Sequence, residues 1–464
     1  MASGLLLDLW KNHRPGNGFA RKPLRPSIAA VAVVLALTVG YGPVRLYQVE
    51  GNLQPGPVIA VIQPDVPLTG AMEGDYDGGQ LLRELKAMSE EAALAIPPPQ
   101  LIVWSEAMNV WPLRNPEYFE QPFAESLFPE IATAGIDLPR EEFIRLWDAR
   151  RAGLRSEDAA LRMWVQELGI PLLFGQDTRL PSTGEGQPVF ERYNAARLIR
   201  PPGNDLLERQ YKVRIFPGGE YVPGGRERFQ PLARLSAHFS DYLDSIHEIR
   251  PGSERERFLL HPPAAAPSTA PDLPFVVSIC AQILCPKSSG VFDYSEERPF
   301  HVTIASEGRF LRNRAQLITY MSQPFRAIEA RSAIARSANT GISGFVAPTG
   351  ALYGQVTNAD GQYRTGLGFA EQAAIERFQE RARTFAENPD CRAAGCSPSL
   401  ELVERAVEIR RIRAEAGVSG FSVARIDISP HGTLYQRIGD VFPRFALLML
   451  GLATLAACIQ PQRA

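Results

Sequence analysis

The stretch FVVSICAQILCP (residues 275 to 286) contains an apolar, β-branched run that ends in a cysteine, Cys280. The run FVVSI has no alternation of polar and apolar residues, which is typical of a strand covered on both faces. A reactive side chain directly after such a strand is significant, because open α/β sheets present their active sites at the carboxyl ends of their strands. The stretch therefore predicts a buried central strand that ends at a functional site.

Two earlier stretches also place reactive side chains beside short apolar runs. QLIVWSE (100 to 106) ends in Glu106, and QYKVRIFPGGEYVP (210 to 223) contains Lys212 and Glu220. By the same strand-end rule, these side chains are expected to converge with the cysteine in one cleft.

Similar runs recur along the chain and alternate with amphipathic stretches. The other candidate strands are VIAVIQP (58 to 64), IPLLFGQ (170 to 176), YNAARLIR (193 to 200), HVTIASE (301 to 307), GISGFVAP (341 to 348) and SVARIDI (422 to 428). Candidate helices lie at 78 to 95, 155 to 168 and 313 to 337. Alternation of this kind predicts an α/β layered domain.

A carboxylate, a lysine and a cysteine in one cleft are suited to covalent acyl chemistry. The thiol attacks a carbonyl or nitrile carbon, a general base takes its proton, and a fixed cation stabilises the developing oxyanion. A free thiol has a pKa of about 8.5 and is mostly protonated at neutral pH, so it benefits from such neighbours. By spacing alone, however, a buried strand cysteine or an isolated Lys or Glu is more often structural than catalytic.

The composition excludes several classes of function. The chain has 464 residues and a formal net charge of -2, so it lacks the basic character of a nucleic-acid-binding protein. Its six histidines are scattered without metal-ligand spacing, and we expect no metal. PGGEYVPGG lacks the Lys-Ser/Thr of a phosphate-binding loop, and no cofactor is expected.

Both ends of the chain carry apolar runs. The first, at 28 to 44, follows a basic segment, so the positive-inside rule predicts a cytoplasmic N-terminus at 1 to 26 and a transmembrane helix at 27 to 47. A cleaved signal peptide is the alternative. The second run predicts a transmembrane helix at 441 to 459, with a buried or interfacial helix as the alternative. If both segments span, the domain at 57 to 440 lies on the extracytoplasmic side.

Two stretches of the chain, and three of its cysteines, are predicted to lie outside the core of the domain and its active site. The segments near 113 to 165 and 370 to 415 are predicted to be insertions, either solvated surface hairpins or contacts to a partner or lids over the site. Cys391 and Cys396 could form a local disulfide in an exported domain, and Cys458 lies in an apolar tail.

The sequence motifs resemble the nitrilase (carbon-nitrogen hydrolase) superfamily, and in particular its apolipoprotein N-acyltransferase branch. VWSEA is similar to the family's Trp-Pro-Glu setting with Ser105 in place of proline, and PGGEYVP is similar to the loop that follows its lysine. QPDVP fits the first strand. Two further segments, RAIEARSAIARSANTGISGFVAPTG (326 to 350) and TLYQRIGDVFPRF (433 to 445), are similar to later parts of the same branch.

The resemblance implies a four-layer αββα sandwich, flanked here by one transmembrane helix at each end. It also implies a Glu-Lys-Cys triad of Glu106, Lys212 and Cys280, with Glu220 and Gln282 in supporting or substrate-binding positions. The implied reaction moves an acyl group from a phospholipid, through a cysteine thioester, to the N-terminal amine of a lipoprotein. It implies a location in the bacterial inner membrane.

The chain departs from the acyltransferase pattern in three ways. Ala281 and Gln282 replace the Tyr-Glu that follows the family's cysteine, and SEGRF (306 to 310) replaces an Asn-Asp-Ala-Trp-Phe-like stretch. We also expect a shortened N-terminal membrane region, with one helix where the branch has several. These differences leave two alternatives: a membrane-anchored amidase or nitrile hydrolase, and a non-catalytic relative that binds a lipid or a partner protein.

Overall fold

The computed structural model of the chain describes most of the regions that carry the predicted strands. The described residues are 25–65, 78–106, 140–181, 190–201, 208–229, 249–253, 257–262, 271–285, 299–307, 313–357, 419–430 and 432–439, with the single positions 231, 441 and 448. Contacts divide the chain into two units, residues 1–54 with 429–431 and residues 55–428 with 432–464.

Most of the described part of the first unit is helix α1 (Arg25–Glu50), which contains Pro43. The transmembrane segment predicted at 27 to 47 falls within this helix. None of the helices, as far as their residues are described, has the length and apolar character needed to cross a membrane. The segment predicted at 441 to 459 lies outside the described residues, apart from Val441 and Leu448.

The second unit contains two mixed β-sheets. The strands of the first are β1 (Gln54–Gln63), β2 (Leu101–Val103), β3 (Leu172–Pro181), β4 (Phe190–Ile199), β5 (Glu208–Tyr211) and β12 (Gly420–Ile428). Their order is β12-β1-β2-β3-β4-β5. Strands β1, β2 and β3 are parallel, whereas β4 and β5 continue the sheet in antiparallel fashion.

The strands of the second sheet are β6 (Phe258–Leu260), β7 (Leu273–Ile279), β8 (Phe300–Ser306), β9 (Ile334–Asn339), β10 (Gly344–Val346) and β11 (Leu352–Tyr353). They lie in the order β11-β10-β9-β8-β7-β6. Strands β7, β8 and β9 are parallel, so their carboxyl ends meet at one edge of the sheet.

The helices of this unit are α2 (Gly78–Ala93), α3 (Arg140–Leu168), α4 (Asn313–Ala330) and α5 (Leu434–Ile438). Short 3₁₀ turns span Arg226–Phe229 and Cys280–Leu284.

The sheets pack face to face because each presents a row of buried apolar side chains. Alternate residues of β1 illustrate this: Val61 packs between the sheets, and Ile62 packs outward beneath α2 and α3. On the other side, Ile334 of β9 packs outward against Ala327 of α4. The layers are thus helix, sheet, sheet, helix, and the predicted α/β sandwich is confirmed.

Part of the segment 113–165, interpreted above as an insertion, belongs to this sandwich. Helix α3 begins at Arg140 and buries Leu161, Trp164 and Val165 on the outer face of the first sheet. The other predicted insertion, at 370 to 415, lies outside the described residues, as do Cys391, Cys396 and Cys458.

One secondary-structure prediction is wrong. The helix expected at 313 to 337 ends at Ala330, and residues 334–339 form the central strand β9. Arg331 has a φ of 49°, in the left-handed region, which ends the helix. The strand escaped prediction because IARSAN is rich in small and polar residues, although all six of its residues are buried.

Candidate active site

Glu106 lies just past the carboxyl end of β2 and is buried, with 5% of its surface exposed. Each of its carboxylate oxygens accepts a hydrogen bond. Asn194 Nδ2, on β4, donates to Oε1 at 2.6 Å, and the backbone N–H of Ser306, at the end of β8, donates to Oε2 at 2.6 Å. Groups from both sheets therefore fix this carboxylate.

Lys212 follows β5 and is fully buried. Its Nζ donates to Glu220 Oε1 at 2.7 Å and lies 3.6 Å from Glu106 Oε1. Its backbone N–H donates to the carbonyl of Asn194 at 2.8 Å. The ammonium therefore lies between two carboxylates, and the two strands that carry Lys212 and Asn194 are joined at the site.

Glu220 belongs to a tight loop whose conformation requires glycine at two positions. Its Oε2 accepts a hydrogen bond from the backbone N–H of Phe216 at 2.7 Å. Gly218 has a φ of 77°, and a Cβ on Gly219 would lie 2.8 Å from the Phe216 ring. The PGGE sequence thus allows the chain to turn back so that the Glu220 side chain reaches both Phe216 and Lys212.

Cys280 is the residue directly after β7 and opens the 3₁₀ turn Cys280–Leu284. Its φ of 56° is unusual for a residue with a side chain and marks a sharp turn out of the strand. Gln282 is buried, and its Oε1 accepts a hydrogen bond from the backbone N–H of Ile279 at 2.8 Å. Gln282 therefore braces the turn that displays the cysteine.

The electrostatics of the cluster keep the thiol protonated and the lysine charged. Burial raises the pKa of the Cys280 thiol, and the negative charge of Glu106 raises it further, whereas the positive charge of Lys212 opposes this. Burial alone would lower the pKa of Lys212, but Cys280 in its thiolate form and the carboxylates of Glu106 and Glu220 raise it above its ordinary value. A reaction at this sulfur therefore needs a base, and the Glu106 carboxylate is the acidic neighbour with the largest effect on the pKa of the thiol.

The structure thus brings together Glu106, Lys212, Glu220 and Cys280, all four of the side chains that were expected to converge. Sequence reasoning missed Asn194 and Ser306, the two donors to Glu106. Asn194 also lies 3.5 Å from Glu220 Oε1. A polar residue within the run YNAARLIR was the available signal for Asn194, whereas Ser306 acts through its backbone and leaves no signal in the sequence.

Within the described ranges, no group of three or more His, Cys, Asp or Glu side chains is arranged to hold a metal ion. Cys285 lies at the end of the 3₁₀ turn and packs beneath α4 with Ile283.

The fold and the cluster define a class of protein: a two-sheet α/β sandwich with a carboxylate, a lysine and a cysteine at the strand ends. The chain is 25% identical over 361 residues to an apolipoprotein N-acyltransferase from Geobacter metallireducens, which covers 76% of this chain and 56% of the relative. It is 28% identical over 214 residues to apolipoprotein N-acyltransferase 2 from Treponema pallidum, covering 46% and 34%. The resemblance to this branch of the nitrilase superfamily is therefore confirmed.

A third relative, the apolipoprotein N-acyltransferase of Bradyrhizobium diazoefficiens, is 25% identical over 330 residues, covering 70% of this chain and 50% of the relative. The chain spans only about half of the length of these curated relatives, or less. The matched part is 34% to 56% of each relative. Among solved structures, a Nesterenkonia amidase of the nitrilase superfamily matches with a TM-score of 0.37 and 15% identity, covering 65% of this chain and 87% of that chain. No protein-family model matches the chain.

Proposed function

We propose that this chain is an apolipoprotein N-acyltransferase-like enzyme that moves an acyl group from a phospholipid to the N-terminal amine of a lipoprotein. The observation that carries the proposal is the cluster itself. Glu106, Lys212 and Cys280 come from three distant parts of the sequence, yet Glu106 Oε1 lies 3.6 Å from Lys212 Nζ, and both side chains act on the pKa of the Cys280 thiol. The curated relatives supply the substrate class.

In the first half of the reaction, Glu106 accepts the thiol proton as Cys280 Sγ attacks the ester carbonyl of the phospholipid. The resulting oxyanion is stabilised by Lys212, whose ammonium has three N–H donors and uses one on Glu220. Collapse breaks the ester bond, and Glu106 returns the proton to the leaving lysophospholipid alcohol. A thioester on Cys280 remains.

In the second half, the amine of the lipoprotein attacks the thioester carbonyl. Glu106 takes a proton from the amine, and Lys212 again stabilises the oxyanion. The amide forms, the carbon–sulfur bond breaks, and the proton returns to Cys280. In these steps Glu220 holds Lys212 in place, through the 2.7 Å contact.

The first test is acylation of the purified, detergent-solubilised chain by a phospholipid with a labelled acyl chain. Intact mass should show a hydroxylamine-labile adduct on the wild type. Cys280→Ala should abolish the adduct, and Cys285→Ala, at the end of the same 3₁₀ turn, should retain it. Transfer to a synthetic lipopeptide would then establish the acceptor.

Hydrolysis of an amide or nitrile is the second candidate, because the position after Ala281 carries Gln282 instead of the acidic residue of the acyltransferase branch. Its amide oxygen is committed to the Ile279 N–H. No lipid adduct together with turnover of small amides would favour this hydrolase. A Cys280 that is unreactive to both would favour a binding relative.

We further propose that the segments 27–47 and 441–459 anchor the chain in the bacterial inner membrane, with residues 57–440 on the extracytoplasmic side. The apolar runs and the basic residues before the first run support this topology. Cysteine-accessibility labelling in intact cells tests it: reporter cysteines in residues 57–440 should react with a membrane-impermeant reagent, and one in residues 1–26 should not.

A further inference from the structure

A second buried ion pair lies beside the candidate active site. Glu307, the residue after β8, has 1% of its surface exposed, and Arg336 of β9 has none. Arg336 Nη2 donates to Glu307 Oε1 at 2.5 Å. Neither residue belongs to the cluster of Glu106, Lys212 and Cys280, and burying two charges is costly unless they are well paired.

The Glu307 carboxylate is held on several sides. Its Oε1 also accepts a hydrogen bond from the Thr319 hydroxyl on α4. Its Oε2 faces Gly341, where a Cβ would lie only 2.4 Å from this oxygen. Arg336 in turn donates from Nε to the carbonyl of Ile342 at 2.9 Å. The pair therefore joins the end of β8, helix α4 and the loop that follows β9.

The backbone at Glu307 is part of the same connection. Its N–H donates to the carbonyl of Asn339, the last residue of β9, at 3.1 Å. The preceding residue is Ser306, whose N–H donates to Glu106 Oε2 at 2.6 Å. The residue that donates to Glu106 is thus the immediate neighbour, along the chain, of one member of the buried ion pair.

We propose that Glu307 and Arg336 are positioning residues, which hold the Ser306 N–H against Glu106 and thereby set the orientation of that carboxylate toward Cys280. Loss of the Glu307 charge leaves the Arg336 guanidinium buried without its ionic partner, so the end of β8 shifts to accommodate it. A shift of about 1 Å in a catalytic group can cost about 100-fold in rate.

The role in acyl transfer rests on the proposed function, but the positioning itself can be measured without any lipid. Alkylation of Cys280 by iodoacetamide, followed as a function of pH, reports the ionisation of the thiol. Because Glu106 raises the pKa of that thiol, a variant in which the carboxylate has moved away should ionise at lower pH.

The experiment compares Glu307→Gln with Glu106→Gln in the full, detergent-solubilised chain carrying Cys285→Ala. Glutamine keeps the volume and one acceptor oxygen but removes the charge. We expect the alkylation profile of Glu307→Gln to move to lower pH, in the same direction as that of Glu106→Gln. The rate of lipid acylation per reactive thiol should fall about 10- to 100-fold, with little change in the KM for the donor.

The control is Asp158→Asn, which removes the carboxylate that pairs with the buried Arg197. Arg197 Nη1 lies 2.6 Å from Oδ1 of Asp158, a residue of α3 on the outer face of the first sheet. This variant should be destabilised to denaturant but keep the wild-type alkylation profile. The comparison separates a local effect on Glu106 from a general loss of stability.

The outcomes are distinct. If Glu307→Gln has the wild-type alkylation profile, the pair is only structural and the inference is overturned, whatever the lipid result. If the profile shifts but the wild type takes up no acyl group from lipid, the positioning role stands and the proposed function fails. Should Glu307→Gln not fold, Thr319→Val, which removes the hydroxyl donor to Glu307, should shift the profile in the same direction, and an unchanged profile would overturn the inference.

Discussion

Replacing Lys212 with methionine removes the cation between two buried carboxylates while keeping most of the side-chain volume. Lys212 is fully buried, and its Nζ lies 2.7 Å from Glu220 Oε1 and 3.6 Å from Glu106 Oε1. Removing one partner of a buried ion pair costs about 3–5 kcal/mol, and with two carboxylates affected we expect the upper part of this range. That is a large fraction of the total stability of a typical domain, about 5–15 kcal/mol.

The assay is urea denaturation followed by tryptophan fluorescence, with Lys86→Met as the control. Lys86 Nζ lies 5.3 Å from the centroid of the Trp164 ring, and a half-exposed cation–π contact is worth about 0.5–1 kcal/mol. We therefore expect Lys212→Met to lose several times more free energy of unfolding than the control. Lipid acylation by Lys212→Met should fall at least about 100-fold, the scale seen for loss of an oxyanion donor.

The pH dependence follows from the raised pKa of Lys212. A lysine whose pKa is raised on folding stabilises the folded state fully below its unfolded value of 10.5, and this stabilisation is lost as the pH rises through the folded value. The difference in free energy of unfolding between the wild type and Lys212→Met should thus be constant from about pH 6 to 9. It should shrink only in stronger alkali. Equal losses for Lys212→Met and Lys86→Met would refute the interpretation of Lys212 as a buried charge between two carboxylates.

Three further substitutions test neighbouring contacts. Glu106→Gln should abolish acyl transfer but lower the pH at which Cys280 is alkylated by iodoacetamide, because the carboxylate raises the pKa of the thiol; a profile displaced to higher pH would contradict this. Gly341→Ala should destabilise the fold by about 2–4 kcal/mol in urea, since its Cβ would lie 2.4 Å from Glu307 Oε2, and a loss below about 0.5 kcal/mol would show that the carboxylate can move. Asn194→Ala removes the amide that donates to Glu106 at 2.6 Å and should cost about 1.5–3 kcal/mol, with a lower acylation rate per thiol as the second measurement; an unchanged rate would argue against a role in orienting Glu106.

Much of the fold could be predicted because long apolar runs indicate strands whatever surrounds them. Strand β1 coincides with VIAVIQP, and β7 with FVVSICA, to within a few residues. Helix α2 begins at the predicted residue, Gly78. Strand β9 could not be found in this way, because its buried Arg336 pairs with Glu307, a residue that follows β8 and is distant in the sequence.

The candidate active site could also be predicted only in part. Four reactive side chains could be selected from the sequence because they follow apolar runs within motifs of a known branch. For Gln282 the resemblance implied only a supporting or substrate-binding position. The contact of its amide oxygen with the Ile279 N–H is visible only in the structure.

The sequence by itself determined the type of layered fold and the resemblance that the curated relatives confirm, and it predicted acyl chemistry at Glu106, Lys212 and Cys280. Only the tertiary structure decided how Glu106 is held, because its two donors, Asn194 and Ser306, are 88 and 200 residues away along the chain. Local periodicity shows which face of a strand is buried, because successive side chains of a strand point to opposite faces. Hydrogen bonds across two packed sheets depend on their register and alignment, which no local pattern records.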